Sequence, residues 1–390
     1  MFEPSAAAVR SLATQHGTPV YVYSRAALRA QAAKALSFGG PFGLTVRYAV
    51  KANPHREVLR LFLDMGLSFD ASSEFEAAHL LACGVPAARV ALNSQQLPRD
   101  IAEVAQRQGV FFTATSLHQL EEYGRALPGT RVGVRLNPGK GSGASNRVTT
   151  GGPSAGFGVW HEYIPQLNEI ARRHNLTICK VHTHIGAGTD PEAWKQVAAV
   201  TLDLAKQFPA ATTVSLGGGF KVARMPDERS ADLQEIGRHV TSLLEQFAAD
   251  TGRKLHLEIE PGTFLTALCG VLVSRVIDIT DTGRDGFTFI RLDTGMNDIL
   301  RPTMYGAMHP ITVHSEATEQ RDYVVIGHNC ESGDILTPVR GNSEEILPRR
   351  LARAQIGDLV TIGAAGAYCA SMRAKDYNFF KNAEEVFVDE

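Results

Sequence analysis

The sequence predicts an α/β fold, a closed (β/α)8 barrel followed by an all-β domain. Three observations lead there. Short runs of β-forming residues alternate with segments of helical period over most of the chain, the pattern of parallel βα units. About eight such units can be counted, the number that closes a barrel. After about residue 270 the rhythm changes to short strands and turns with few helices, as in an all-β module. The expected domains are therefore a barrel over 25–270 and a β-domain over 271–390, joined by residues 1–24.

Taken in order, Val20-Tyr21-Val22-Tyr23 reads as a short strand, and Arg25 to Leu36 as an alanine-rich helix. Val46 to Val50 is rich in β-formers, ends on Lys51, and is stopped by Asn53-Pro54. Val58, Leu59, Leu61, Phe62 and Met65 then recur at helical spacing. Ser68 to Ala71 predicts a strand, and Ser72 to Glu76 carries a helix-capping signal. Val90 to Asn93, Phe111 to Thr115, Arg131 to Leu136, Ile178 to Ile185, Thr213 to Leu216 and Lys254 to Ile259 predict the further barrel strands. Helices are expected over Arg99 to Arg107, near His118 to Leu127, and after Pro191. Gly139 to Ser145 is the one plainly flexible loop. Later strands are expected at Val271 to Ile279, Phe287 to Asp293, Ile311 to His314, Asp322 to Ile326 and Asp358 to Ile362.

Composition narrows the function classes. The 390 residues are 44% hydrophobic and 21% charged, ordinary values for a soluble globular protein. A net charge of −2 implies no general attraction to nucleic acid or anionic membrane. No apolar run approaches the ~18 residues of a membrane span, and Met1 to Thr18 lacks a signal-peptide pattern. Five scattered cysteines without a CxxC pair support neither a zinc site nor a disulfide framework, so reduced thiols in a cytoplasm are expected.

Several pieces can carry chemistry, each with a plainer alternative. Lys51 ends a strand, the catalytic end of a barrel, where a partly desolvated amine can attack a carbonyl; a solvated lysine is the alternative. Gly217-Gly218-Gly219 leaves backbone N–H groups open to an anion, although a tight turn needs glycine equally. Glu260, before Pro261-Gly262, can hold a protonated ring nitrogen; a surface acid before a turn is the bland reading. His182 and His184 share one face of a strand. No third metal ligand follows them. His182 reads as a satisfied core histidine, and for His184 packing on an aromatic cofactor fits as well as metal ligation. Cys330-Glu331 pairs a thiol with a carboxylate in a glycine-flanked loop, able to donate a proton or meet an amine. Tyr368 follows small residues that admit a ligand, and a buried aromatic is the alternative.

Tyr48-Ala49-Val50-Lys51-Ala52-Asn53, His182 to Gly186, Gly217 to Gly219, Glu260-Pro261-Gly262, Arg301 to Tyr305, Cys330 to Asp334 and Gly366-Ala367-Tyr368 come in one order along nearly the whole chain. Together they resemble the pyridoxal-phosphate decarboxylases of alanine-racemase fold. Asp298 to Pro302 and Cys330 to Asp334 favour the diaminopimelate branch. The resemblance implies pyridoxal 5'-phosphate as cofactor and release of carbon dioxide from meso-diaminopimelate to leave L-lysine. It makes Lys51 the Schiff-base lysine and stacks His184 on the ring. It gives Gly217, Gly218, Gly219, Glu260, Gly262 and Thr263 to the cofactor, with Glu260 on the ring nitrogen. Arg301 and Tyr305 would bind the far carboxylate, Glu331 the far amine, and Tyr368 would lie near phosphate and substrate. Cys330 or Lys51 would return the proton. A homodimer is implied, with Cys330 and Glu331 lent to the other subunit's site.

Three positions depart from the family pattern. Thr263 stands where an arginine usually helps bind the substrate carboxylate, and a hydroxyl cannot form that bidentate clamp. Ala187 replaces a serine after His-Ile-Gly, and Asp376 to Phe380 is unusually aromatic. These leave room for a decarboxylase of another diamino acid or of a carrier-bound amino acid. A racemase of the same barrel is disfavoured by the Cys330-Glu331 loop, and a single-barrel cofactor-binding regulator by the β-rich region after residue 270.

Overall fold

The computed structural model describes residues 1–139, 151–184, 186 and 191–390, with Pro191 described by its backbone alone. The chain divides into two compact units, residues 29–221 with 229–265, and residues 1–28, 222–228 and 266–390. The short segment 222–228 thus groups with the β-rich unit, a return that no composition change in the sequence marks.

The first unit is a barrel. Its strands are Leu44–Ala49, Ser68–Ala71, Val90–Leu92, Phe111–Ala114, Arg131–Asn137, Thr177–Thr183, Thr213–Ser215 and His256–Ile259, each paired in parallel with the next. Closure comes from the last strand meeting the first, through Ile259 opposite Val46. A ninth, two-residue strand, Val159–Trp160, lies beside Arg131–Asn137. Strands lie where the sequence predicts them, with ends within two residues of the expected ones. The helix Arg56–Asp64 shows why the alternation works: Val58, Leu59, Leu61 and Phe62 share its buried face, and His55 caps it by accepting from the Glu57 N–H at 3.2 Å. The segment expected as a helix over Arg99 to Arg107 winds as a π-helix over Glu103–Arg107.

Three helices of ten residues or more escape the sequence reading, Ala6–His16 and two in the barrel unit. Ile164–Arg173 buries Ile164, Leu167, Ile170 and Ala171, and Leu233–Thr251 buries Leu233, Ile236, Gly237, Val240, Leu244 and Phe247. Asp232 caps the latter, accepting from the N–H groups of Gln234 and Glu235 at 3.0 Å each.

The second unit is built on a sheet ordered Ile311–His314, Leu359–Ile362, Gly270–Asp281, Thr288–Leu292, Gln320–Ile326 and Arg349–Ala352. The N-terminal strand Val20–Ser24 joins it, antiparallel to Gly270–Asp281 and parallel to Glu384–Val388. Tyr21, Leu272, Ile290, Leu292, Val325 and Val360 are among the residues of its dry core. The flexible-loop expectation for Gly139 to Ser145 falls, from residue 140 on, outside the described residues, and so does that for Ala187.

Candidate active site

At the carboxyl end of the barrel the chain leaves Leu44–Ala49 in a 3-10 turn, Val50–Ala52, that carries Lys51. Aromatic packing holds the turn. Tyr48 packs against Phe62 and Phe69, with ring centroids 4.8 and 6.5 Å away, and its hydroxyl donates to the Asn53 carbonyl at 2.9 Å. Lys51 Nζ lies 3.0 Å from Ser72 Oγ and 3.7 Å from the buried Asp70 Oδ2. Burial first, then the Glu260 charge, raises the Asp70 carboxyl to about 7.

Glu260 is buried at the end of the last strand. Ser215 Oγ donates to its Oε1 at 2.8 Å, and His182 Nε2 lies 3.2 Å from its Oε2. Asn93 Nδ2 lies 3.0 Å from His182 Nδ1 on the other edge of the ring. Burial, with Arg135 and Lys180 nearby, holds His182 well below the usual histidine range, so it is neutral at pH 7. One layer deeper, Glu258 receives Arg47 Nη2 at 2.7 Å and Lys180 Nζ at 2.5 Å. Burial pushes its carboxyl up, but these two cations outweigh burial and keep it ionised. A barrel interior is commonly filled by branched apolar residues. Here its middle is an ion-pair network, which adds little net stability but fixes the geometry of the layer above.

The glycine turn meets this carboxylate directly. Glu260 N–H donates to the Gly217 carbonyl at 2.8 Å, and a side chain on Gly218 would collide with the Glu260 carbonyl oxygen. Gly217 has φ +68°, and a Cβ there would stand 2.6 Å from His184 Nδ1. Burial, with Arg135 and His182 beside it, drives His184 well down, so this imidazole is neutral too. Gly262 is buried, and its neighbour Pro261 accepts the Ala49 N–H at 3.2 Å, tying this turn to the lysine strand. Thr263 opens the short helix Thr263–Thr266. The barrel unit therefore brings together Lys51, His184, Gly217, Gly218 and Glu260.

Gly219, Gly262 and Thr263 lie in the same unit, whereas Arg301, Tyr305, Cys330, Glu331 and Tyr368 belong to the β-rich unit. Arg301 opens the helix Arg301–Tyr305, with its guanidinium 5.8 Å from the Tyr305 ring centroid. Tyr368 has φ +56° and is partly buried. Cys330 and Glu331 are exposed. Asn378 Oδ1 accepts the Cys330 N–H at 2.7 Å, and Tyr377 donates to Glu331 Oε2 at 3.1 Å. The aromatic segment 376–380 is thus the brace of that loop. Thr303 Oγ1 donates to the Gly333 carbonyl at 3.0 Å, linking the loop to the Arg301 helix.

Sequence reasoning passed over Asp70, Asn93, Ser215 and the Arg47–Glu258–Lys180 network. The available signal was polar residues spaced two apart within β-rich runs, such as Lys180 with His182 and Glu258 with Glu260.

Comparison with known proteins completes this picture. Residues 25–267 match the family model described as pyridoxal-dependent decarboxylase, pyridoxal binding domain. The chain is 34% identical to a diaminopimelate decarboxylase of Streptomyces coelicolor, over 97% of this chain and 86% of that one. It is 32% identical to a diaminopimelate decarboxylase of Escherichia coli, over 97% and 90%. A crystal structure of diaminopimelate decarboxylase superposes with a TM-score of 0.91 at 30% identity, covering 99% of this chain and 92% of that one.

Proposed function

The chain belongs to the pyridoxal-dependent decarboxylases, and from that premise we propose that it decarboxylates meso-diaminopimelate to L-lysine and carbon dioxide. The observation that carries this reading is the barrel end, where the half-exposed amine of Lys51 and the braced carboxylate of Glu260 belong to the same polar cluster. The donor set fits pyridoxal 5'-phosphate. A primary amine suits its carbonyl, a carboxylate its ring nitrogen, and a neutral imidazole its flat face. Glycine N–H groups without side chains suit its phosphate. When bound, this cofactor supplies an electron sink for the pair left behind by departing carbon dioxide.

The chain's own residues set the conditions. Glu260 would hold the ring nitrogen, with its carboxylate bonded by Ser215 and flanked by His182. A neutral His182 lies beside the carboxylate without neutralising it, as a cationic one would. Lys51, beside Ser72 and Asp70, would bind the cofactor's carbonyl and is an amine able to move a proton. Gly217, Gly218, Gly219 and Gly262, with Thr263, are proposed to receive the phosphate end, and Tyr368 to lie beside it. Arg301 and Tyr305 are proposed to hold the carboxylate that stays, and Glu331 the amine beside it. Cys330 is the proposed donor of the final proton.

We further propose a homodimer in which Cys330 and Glu331 serve the other copy; their exposure in the single chain supports this. Among the described residues no helix is long and apolar enough to cross a membrane. A cytoplasmic setting is proposed from the five free cysteines. Carbon dioxide release from a panel of amino acids tests the function. Turnover of meso-diaminopimelate well above ornithine, arginine and lysine is expected. Preference for another diamino acid or a carrier-bound amino acid would replace the substrate, and racemisation without carbon dioxide would replace the reaction.

A further inference from the structure

The β-rich unit buries a cation for which the roles above have no use. Arg224 lies in the segment 222–228, is 7% exposed, and has no partner for Nε or Nη2 among the described residues. The nearby acids are engaged elsewhere. Glu228 Oε2 accepts the N–H groups of Arg224 and Met225 at 2.8 and 3.2 Å, and Asp227 takes Arg340 in two bonds of 2.7 and 2.8 Å. Arg224 feels the like charge of Arg301, which Cys369, Glu228 and Tyr368 offset only in part. His309, fully buried, lies in the field of both arginines, and its Nε2 is unpartnered among the described residues. Arg301 Nε is unpartnered in the same sense. Burial and then the Arg301 charge push Arg224 down to about 9. A guanidinium in practice keeps its proton, so this strain amounts to a demand for an anion.

We infer that Arg224 and Arg301 together form the cradle for the substrate carboxylate that is not removed. This rests on the decarboxylation proposed above. Taking carbon dioxide from one end of a diamino dicarboxylic acid leaves the other carboxylate on the product. The family resemblance places an arginine at position 263 for that group, and this chain has Thr263. Arg224 supplies the missing second cation from a different part of the chain. Two guanidinium forks can fill the lone pairs of one carboxylate, which a single arginine cannot do. The pair thereby selects substrates with a second carboxylate over diamines that carry only one.

Product binding reads this cradle without turnover. L-lysine retains the carboxylate in question, and cadaverine lacks it. In calorimetric titrations of the cofactor-loaded protein, Arg224→Met should weaken L-lysine by at least about tenfold, the scale of one charge-assisted hydrogen bond. Cadaverine should change by less than about twofold, and Arg224→Lys should fall between. Without ligand, Arg224→Met should melt no lower than the wild type, because the lost charge was uncompensated. Arg224→Gln replaces the Met variant if that one does not fold. Equal losses for both ligands, unchanged lysine affinity, or a wild type that does not bind L-lysine would overturn the cradle. The decarboxylation reading is judged apart from this, by carbon dioxide release from the wild type.

Discussion

At the scale of single residues the barrel end is a balance of buried charges. Asp70 is 3% exposed and lies beside Lys51, and Glu260 also acts on it. Its pKa is raised from 3.8 to about 7, by burial before any other cause. The sign follows directly. Between those values the folded protein keeps a proton that the unfolded chain has released, so stability falls as pH rises across the window. Asp70→Asn removes this contribution. Urea midpoints at several pH values between about 4 and 7 should show the variant gaining steadily on the wild type as pH rises. A difference that stays constant with pH would mean that Asp70 ionises at its ordinary value. The ion pair with Lys51 offsets little of this, because the lysine side chain is 47% exposed and solvent screens the contact.

At the scale of elements, close backbone approach decides what the chain tolerates. Gly237 sits inside the helix Leu233–Thr251, where alanine is favoured by about 1 kcal/mol on propensity alone. A Cβ at that position would drive into the Phe38 carbonyl oxygen. Backbone does not yield as a flexible side chain does, and overpacking of this kind costs about 1–3 kcal/mol. Gly237→Ala should therefore lower the melting temperature, against the propensity rule; a rise would mean that the helix shifts freely. The same contact logic governs Gly218, whose missing side chain lets the glycine turn lie against Glu260. A turn alone would account for glycine at 217, where φ is +68°, but the collision at 218 ties the motif to the carboxylate.

At the scale of the whole molecule, the proposed sharing of Cys330 and Glu331 between copies has a simple consequence. Lys51→Ala and Glu331→Ala are each expected to be inactive, because each lacks one part of every site. Mixed under conditions that exchange subunits, they form dimers holding one site with both residues intact. Part of the wild-type activity should return, up to about a quarter of it when half of the dimers are mixed and each carries one of two sites. No recovery, with exchange verified by differently tagged copies, would place both residues in the site of their own chain. Because Tyr377 and Asn378 brace the loop, changes in that exposed aromatic segment should alter substrate binding before they alter stability.

Much of this is legible in the amino-acid sequence, and the reason is local. Strand–helix alternation, the Asn53-Pro54 stop after Lys51, and the glycine and Glu-Pro-Gly turns depend on residues a few positions apart. Such features survive in a one-dimensional reading, so the barrel, the lysine turn and the family resemblance follow from residue order alone. What only the tertiary structure decided depends on residues far apart in the chain. Asn93, His182, Ser215 and Glu260 converge because barrel closure brings distant strands into register. Arg47 and Lys180 both pair with Glu258 inside the barrel for the same reason. In the sequence Arg224 is one more charge in a connecting segment. Its burial within the field of Arg301 follows from the return of residues 222–228 to the β-rich unit, and no local pattern encodes that return, since a buried charge is identified by its surroundings and not by its neighbours in sequence.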